Sequence, residues 1–272
     1  MNGDRLSAAF HSLRPTVWPF LWVHTFAGFW VAAGGRIGQE PRAWLPAVTA
    51  SGVWAVLLGG AGAGLAARFQ AWPDDGGDSV SVPGIIGPVC LAMLLLGLVV
   101  SPVVGWGFFD AYLVGLILTV LSTTPPIRLA RFRAGALLLP ALGAGLSFYA
   151  GTAVAVGSAV SDNAIAWLAG GFVLLCIAAG GLFTRLSSRL WLVLYAVALF
   201  MSVTVFAAGG AALGCSWKAL ALAAPVAAFW GWLGWRRFVG GRTLRGVLVA
   251  GAWLAADVAL ALAVLLSGGV TP

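Results

Sequence analysis

Nine apolar runs, separated by short polar segments, constrain this chain more than any other feature. A helix needs about 20 apolar residues to cross the hydrocarbon core of a bilayer, and helices satisfy their own backbone hydrogen bonds there. The runs cover residues 17–34, 44–67, 83–104, 106–124, 135–157, 163–183, 190–210, 216–235 and 246–267. The sequence therefore predicts an all-α polytopic membrane bundle of nine transmembrane helices, with residues 1–272 forming a single domain.

The composition supports a membrane protein and argues against a nucleic-acid partner. Hydrophobic residues make up 61% of the chain and charged residues only 8%, against about 25% charged residues in soluble domains. The net charge is +7, but the chain has no polar stretch long enough to form a soluble domain with a basic face. The positive charge is better explained by its position along the chain.

The positions of the lysines and arginines predict the orientation of the helices. If the N-terminus lies inside, twelve of the 15 cationic residues fall in inner segments and three in outer segments. Because positive residues stay on the cytoplasmic side, we expect a cytoplasmic N-terminus and a C-terminus outside. The abundance of alanine, glycine and arginine is typical of a high-GC bacterial gene, which favours an integral protein of the bacterial cytoplasmic membrane.

A proline loop follows the fourth run. Pro125 and Pro126 end the preceding helix, because proline lacks the backbone donor and disfavours the helical conformation before it. Arg128, Arg131 and Arg133 come directly afterwards. A rigid cationic loop at a membrane edge suits an anionic group such as phosphate, although the same arginines could serve only to fix topology.

Three stretches of this chain resemble the UbiA superfamily of intramembrane prenyltransferases. They are Leu13-Arg14-Pro15 before the first run, Pro125-Pro126-Ile127-Arg128-Leu129 after the fourth, and the Gly/Ala-rich fifth run with Pro140 and Gly151. The resemblance extends over nearly the whole chain as topology. It implies an enzyme that joins a polyprenyl diphosphate to an acceptor, with magnesium held by aspartate-rich motifs between the second and third and the sixth and seventh helices.

The chain departs from both motifs, so the resemblance is to a divergent member with degenerate aspartate-rich segments. Gly64-Leu-Ala-Ala-Arg68 stands where Asn-Asp-x-x-Asp is expected, and residues 184–189 contain no acid. A cation in such a position could bind phosphate without a metal. The residues predicted to bind the substrate diphosphate are Arg68, Arg128, Arg131, Arg185 and Arg189.

An acidic cluster after the second run offers an alternative metal site. Asp74, Asp75 and Asp78 have the spacing Asp-Asp-x-x-Asp, which on a helix would place the first and last on one face. Carboxylate oxygens suit Mg²⁺, so this cluster is the predicted magnesium site. Pro-Asp-Asp-Gly-Gly is also typical of an ordinary solvated turn.

Four residues inside the runs are candidates for a pocket. Trp22 and Phe26 belong to a series of aromatic residues at steps of four, which could line a polyprenyl tunnel or stabilise a carbocation, or simply pack. His24 lies between them as a possible proton acceptor or packing residue. Asp257 lies near the centre of the last run, where a carboxylate costs about 2.5–3.5 kcal/mol and is a functional candidate. Its partner must come from another helix, and His24 is one candidate.

Three functions remain open on the sequence alone. The first is a prenyl (alkyl) transferase or terpene-cyclase-like enzyme that binds an isoprenoid diphosphate on the cytoplasmic side. The second is a non-catalytic descendant that binds an isoprenoid or lipid, or a partner enzyme in the membrane. The third, a small transporter or channel subunit, is disfavoured by the odd number of spans and the absence of an evident internal repeat.

Overall fold

A computed structural model describes residues 13, 18–33, 44–70, 84–125, 129, 133–156, 163–183, 189–215, 221, 223–239 and 246–266. Within these ranges the chain forms nine helices and no strand. They are α1 (Trp18–Ala32), α2 (three continuous segments, Trp44–Gly52, Val53–Gly60 and Ala61–Gln70), α3 (Ile86–Val104), α4 (Trp106–Thr123), α5 (Arg133–Val156), α6 (Asn163–Phe183), α7 (Arg189–Ala212), α8 (Ala223–Phe238) and α9 (Gly246–Leu266).

The nine helices coincide with the nine apolar runs, which confirms the all-α bundle. Six of them, α2 to α7, are long and apolar enough to cross a membrane, and α9 contains a shorter apolar stretch at Gly251–Val264. The chain is therefore an integral membrane protein. The count of nine crossings and the side on which each terminus lies stay predictions.

The break between α3 and α4 lies where the sequence predicts it. Pro102 occupies the last turn of α3, and Gly105 alone separates the two helices. The Gly105 N–H donates to the Ser101 carbonyl at 3.1 Å, which closes α3. Gly105 therefore divides two nearly continuous apolar runs into two helices without a polar loop.

The bundle has two hydrophobic halves. Buried residues of α2, α3 and α4 form one core, together with Leu13 and Ala150. Buried residues of α6, α7, α8 and α9 form the other, together with Val31 and Phe148. Helix α5 supplies residues to both cores, and α1 packs against α2, α5 and α9. Helices α1 and α5 therefore form the seam between the two halves.

Helices α1 and α5 approach so closely that their backbones are in contact. A Cβ atom at Gly28 of α1 would overlap the Phe148 carbonyl of α5, and one at Gly151 of α5 would overlap the Thr25 carbonyl of α1. Small residues permit such close helix packing in membranes, where apolar burial gives little net driving force. This crossing fixes the position of α1 relative to α5.

The middle of α2 is a π-helix over Val53–Gly60, a feature that is rare and often found near functional sites. Its final glycines face α1: Cβ atoms there would meet the Leu21 side chain at Gly59 and the Trp18 indole at Gly60. The wider turn therefore lies where α2 passes the first half of α1. Nothing in the sequence pattern predicts it.

Candidate functional site

His24 of α1 and Asp257 of α9 form a buried pair. Their Nδ1 and Oδ1 atoms lie 2.7 Å apart, and each side chain is 2% exposed. The prediction that Asp257 takes its partner from another helix, with His24 as a candidate, is confirmed. The pair joins α9 to the seam between the two halves of the bundle.

The second ring nitrogen of His24 settles which atoms carry hydrogen. Nε2 lies 3.0 Å from the Ala144 carbonyl of α5. A carbonyl oxygen only accepts, so Nε2 must carry a hydrogen and donate it. His24 thereby connects α1, α5 and α9 through one imidazole ring.

The protonation of the pair follows from this contact. With Nε2 protonated, the short Nδ1–Oδ1 contact needs one more hydrogen between its two atoms, on either the imidazole or the carboxyl group. The result is an imidazolium with a carboxylate, or a neutral imidazole with a carboxylic acid. Both arrangements are neutral overall, which suits a site surrounded by apolar side chains.

Aromatic rings enclose His24 on several sides. The centroid of its ring lies 4.4 Å from that of Phe172 in an edge-on arrangement, 5.5 Å from Trp253 and 5.9 Å from Phe148. Phe148 and Phe172 are fully buried. In such a low-dielectric environment a hydrogen bond is stronger than in water, so the enclosure strengthens the pair.

Trp22 and Phe26 do not belong to this site. Their rings stack at 5.3 Å with an interplanar angle of 5°, and both side chains are half-buried. Residues two positions apart on a helix are rotated by about 200°. Trp22 and Phe26 therefore lie on the side of α1 opposite His24. Phe26 and Trp30 pack with Trp44 of α2. The four predicted pocket residues are therefore divided between two faces.

Arg68 lies in the last turn of α2 and is half-buried. Its Nη1 donates to the Gly84 carbonyl at 2.8 Å, and its guanidinium lies 6.0 Å from the centre of the Phe69 ring. The side chain thus connects the end of α2 to the residues just before α3. Arg68 and Gly84 lie at the two ends of the sequence interval that contains the predicted acidic cluster.

The segment Gly64–Arg68 has no means of holding a metal ion. A Cβ at Gly64 would lie 2.5 Å from the Cys90 sulfur, and Leu65 is buried in the core of the first half. None of its side chains carries a ligand oxygen. Across the described ranges, the structure contains no group of three or more His, Cys, Asp or Glu residues able to hold a metal.

Several predicted site residues lie outside the described part of the chain. They are Arg128, Arg131, Arg185, Asp74, Asp75 and Asp78. Arg189 begins α7, but its side chain is likewise outside the description. Helix α4 ends at Thr123, two residues before Pro125, as the double proline predicts.

Sequence reasoning missed several contributors to the His24 site. The Ala144 acceptor is a backbone atom, which leaves no signal in the sequence. Trp253 precedes Asp257 by four positions, a spacing that places both on one face of a helix and could have identified it. Phe172 is one of many apolar residues in its run and is unremarkable without the fold.

The fold as a whole resembles solved structures of known proteins. A UbiA homolog from Archaeoglobus fulgidus matches with a TM-score of 0.66 and 15% identity over 96% of this chain and 98% of that chain. A UbiA homolog from the same organism bound to Cd²⁺ matches with a TM-score of 0.62 and 18% identity, over 95% and 99% of the two chains. No protein-family model matches this sequence, and no curated protein matches it significantly. The likeness extends over nearly the full length of both chains, and the protein therefore has the fold of the UbiA homologs, as its sequence motifs predict.

Proposed function

We propose that this protein is a divergent UbiA-like membrane enzyme that binds an isoprenoid diphosphate at the cytoplasmic side and transfers or cyclises its prenyl group. The observation that carries this proposal is the match in fold to UbiA homologs over 96% of the chain. The proline loop and the arginine-proline pair before α1 support the same family independently, since they are features of sequence and not of fold.

Arg68 is the described residue best placed to contact a diphosphate. It lies at the end of α2, the position that corresponds to the first family motif, and Gly84 takes only one of the five N–H donors of a guanidinium. Guanidinium groups bind phosphate oxygens in pairs. Arg128, Arg131, Arg185 and Arg189 are proposed to complete the diphosphate site, because helices that alternate in direction would bring their segments to the same end of the bundle as Arg68.

Magnesium remains a proposal that depends on Asp74, Asp75 and Asp78. A bound Mg²⁺ would neutralise charge on the diphosphate leaving group. The replacement of the first motif by Gly64–Arg68 removes the ligands that the family resemblance implies. Arginine recognition of the diphosphate therefore has more support in the described residues than recognition through a metal.

Binding of farnesyl diphosphate to the purified protein in detergent tests the proposal, with Mg²⁺ or with a chelator present. Farnesol is the matched probe without the diphosphate. Arg68→Ala and the double variant Asp74→Ala/Asp78→Ala would be compared with Arg42→Ala, which the charge distribution predicts to be on the outer side. We expect Arg68→Ala to weaken diphosphate binding and Arg42→Ala to leave it unchanged.

The three outcomes separate the mechanisms. Binding that needs Mg²⁺ and is lost in the double aspartate variant would support the acidic cluster as a metal site. Binding that is insensitive to the chelator and lost in Arg68→Ala would support recognition without metal. If the folded protein binds farnesyl diphosphate no better than farnesol, the isoprenoid-diphosphate function is wrong.

A second candidate function follows from the same loss of carboxylates. A descendant of the fold without a metal site could bind an isoprenoid or lipid, or a partner enzyme in the membrane, without catalysis. The buried, apolar Leu65 in the degenerate motif argues against an enzyme with both metal sites, and this alternative needs neither of them. Release of diphosphate from bound farnesyl diphosphate, measured in a membrane extract that supplies acceptors, distinguishes the enzyme from the binding protein.

A further inference from the structure

The second carboxyl oxygen of Asp257 is buried and has no hydrogen-bond partner among the described residues. The other carboxyl oxygen is taken by His24, and the side chain is only 2% exposed. A buried polar atom that has lost its water and gained no partner carries its full desolvation penalty. Native structures leave few such atoms, and each one calls for an explanation.

The chemical character of the missing partner follows from the His24 geometry. If the shared hydrogen lies on the imidazole, Asp257 is a carboxylate and Oδ2 accepts hydrogen bonds. If the hydrogen lies on Oδ1, the group is a carboxylic acid donating to Nδ1, and Oδ2 is its carbonyl oxygen, which also accepts. Oδ2 is an acceptor in both cases, so its partner must be a donor.

We propose that Asp257 Oδ2 is a binding point for a hydroxyl group in the interior of the bundle. The pair with His24 is neutral overall, so the site favours a neutral donor over a cation. Phe172, Trp253 and Phe148 surround His24, which suits a hydroxyl on an apolar body or a single buried water. This inference does not depend on isoprenoid-diphosphate binding, because it concerns the middle of α9 and not the loop ends.

Two variants separate the acceptor from the rest of the pair. In Asp257→Asn the amide nitrogen can donate to His24 Nδ1 while the amide oxygen takes the place of Oδ2, so the acceptor is retained and the carboxyl bands disappear. The double variant His24→Leu/Asp257→Leu removes the acceptor without leaving an unpaired polar partner, which protects folding. Asp110→Asn is the matched control, since Asp110 is exposed at the start of α4.

Infrared difference spectroscopy on the purified protein in detergent reads the site directly. The carboxyl bands of Asp257 are assigned as those lost in Asp257→Asn and retained in Asp110→Asn. The probes are cyclohexanol and methoxycyclohexane, which share a ring but differ in the hydroxyl donor. Exchange of the solvent into H₂¹⁸O tests for a bound water in the absence of either probe.

Each outcome decides the proposal. A shift of the Asp257 band with cyclohexanol, and none with methoxycyclohexane, supports an organic hydroxyl ligand. An O–H stretching band that shifts in H₂¹⁸O and is lost in the double leucine variant supports a water as the donor. If neither the addition of cyclohexanol nor the exchange into H₂¹⁸O changes a band that depends on Asp257, Oδ2 binds no hydroxyl group and the proposal is overturned.

Discussion

Gly28 and Gly151 face each other's helices in a reciprocal arrangement: each is positioned so that a Cβ would overlap a backbone carbonyl of the other helix. The overlapped carbonyls belong to Phe148 and Thr25, and Thr25 is adjacent to His24. The crossing therefore sets the distance between the His24 ring and the Ala144 carbonyl. The close packing at the two glycines and the hydrogen bonds of His24 therefore depend on the same approach of α1 to α5.

Substitution of either glycine should destabilise the protein. Gly28→Ala and Gly151→Ala would force the two backbones apart, and overpacking of this kind costs about 1–3 kcal/mol. Gly143→Ala is the control in α5, because its Cβ would have no neighbour within 4 Å and alanine favours a helix by about 1 kcal/mol over glycine. Thermal unfolding in detergent measures the stability of all three variants. Equal stability of the three variants would mean that the close approach is absent.

Removal of the His24 side chain alone should lower the stability of the protein more than removal of both side chains of the pair. His24→Leu leaves Asp257 buried without its partner, a change expected to cost about 3–5 kcal/mol. His24→Leu/Asp257→Leu replaces both with apolar side chains, which is often neutral or stabilising. The free energy of unfolding of the two variants and of Asp257→Leu completes a double-mutant cycle. Additive losses would contradict a direct interaction between the two side chains.

The hydrogen on His24 Nε2 can be observed directly. The chain contains two histidines, His11 and His24, so a ¹⁵N-histidine sample gives few signals, and His24→Asn assigns them. We expect Nε2 to be protonated, because it faces the Ala144 carbonyl, and Nδ1 to sense the hydrogen shared with Asp257. Solid-state NMR in lipid bilayers makes this measurement. An unprotonated Nε2 would contradict the neutral two-proton pair.

Arg237 should stabilise the contact between α8 and α6. Its Nε donates to the Leu182 carbonyl at 3.0 Å, in the last turn of α6, where carbonyls lack helical partners. Hydrogen bonds to charged groups contribute about 1.5–3 kcal/mol, so Arg237→Ala should lower stability by an amount of this order.

Arg236→Ala is the neighbouring control for that variant. Its guanidinium lies 5.2 Å from the Trp232 ring, a contact worth about 0.5–1 kcal/mol at exposed sites. A larger loss of stability in Arg236→Ala than in Arg237→Ala would show that the hydrogen bond from Arg237 to the Leu182 carbonyl contributes little. Chemical unfolding in detergent, followed by tryptophan fluorescence, compares the two variants.

The sequence predicts those features that depend on local physics. Apolar runs of membrane length define the nine helices, and Pro102 with Gly105 defines the break between α3 and α4, because both act within one turn. The cost of a carboxylate in the membrane singles out Asp257 and demands a partner. Features that depend on which helices meet are less accessible: the Ala144 carbonyl has no sequence signature, and the π-helix of α2 follows from no pattern of residue types.

Trp22 and Phe26 lie on the face of α1 opposite His24 for a geometric reason, and their part in lining a pocket stays a prediction. All three lie within five positions of one another in the first run, but a helix turns by 100° per residue, so alternate positions face opposite sides. The steps of four correctly placed the aromatic residues on one common face. They could not determine which neighbouring helix that face meets, which depends on the arrangement of the whole bundle.

The contact between Arg68 and Gly84 joins the two ends of the sequence interval that contains the acidic cluster. The Arg68 guanidinium donates to the Gly84 carbonyl, which links the end of α2 to the residues just before α3. Asp74 is six positions from Arg68, and Asp78 is six positions from Gly84. Arg68→Ala would therefore remove a guanidinium and, with it, the side-chain link between the two helices that flank this interval.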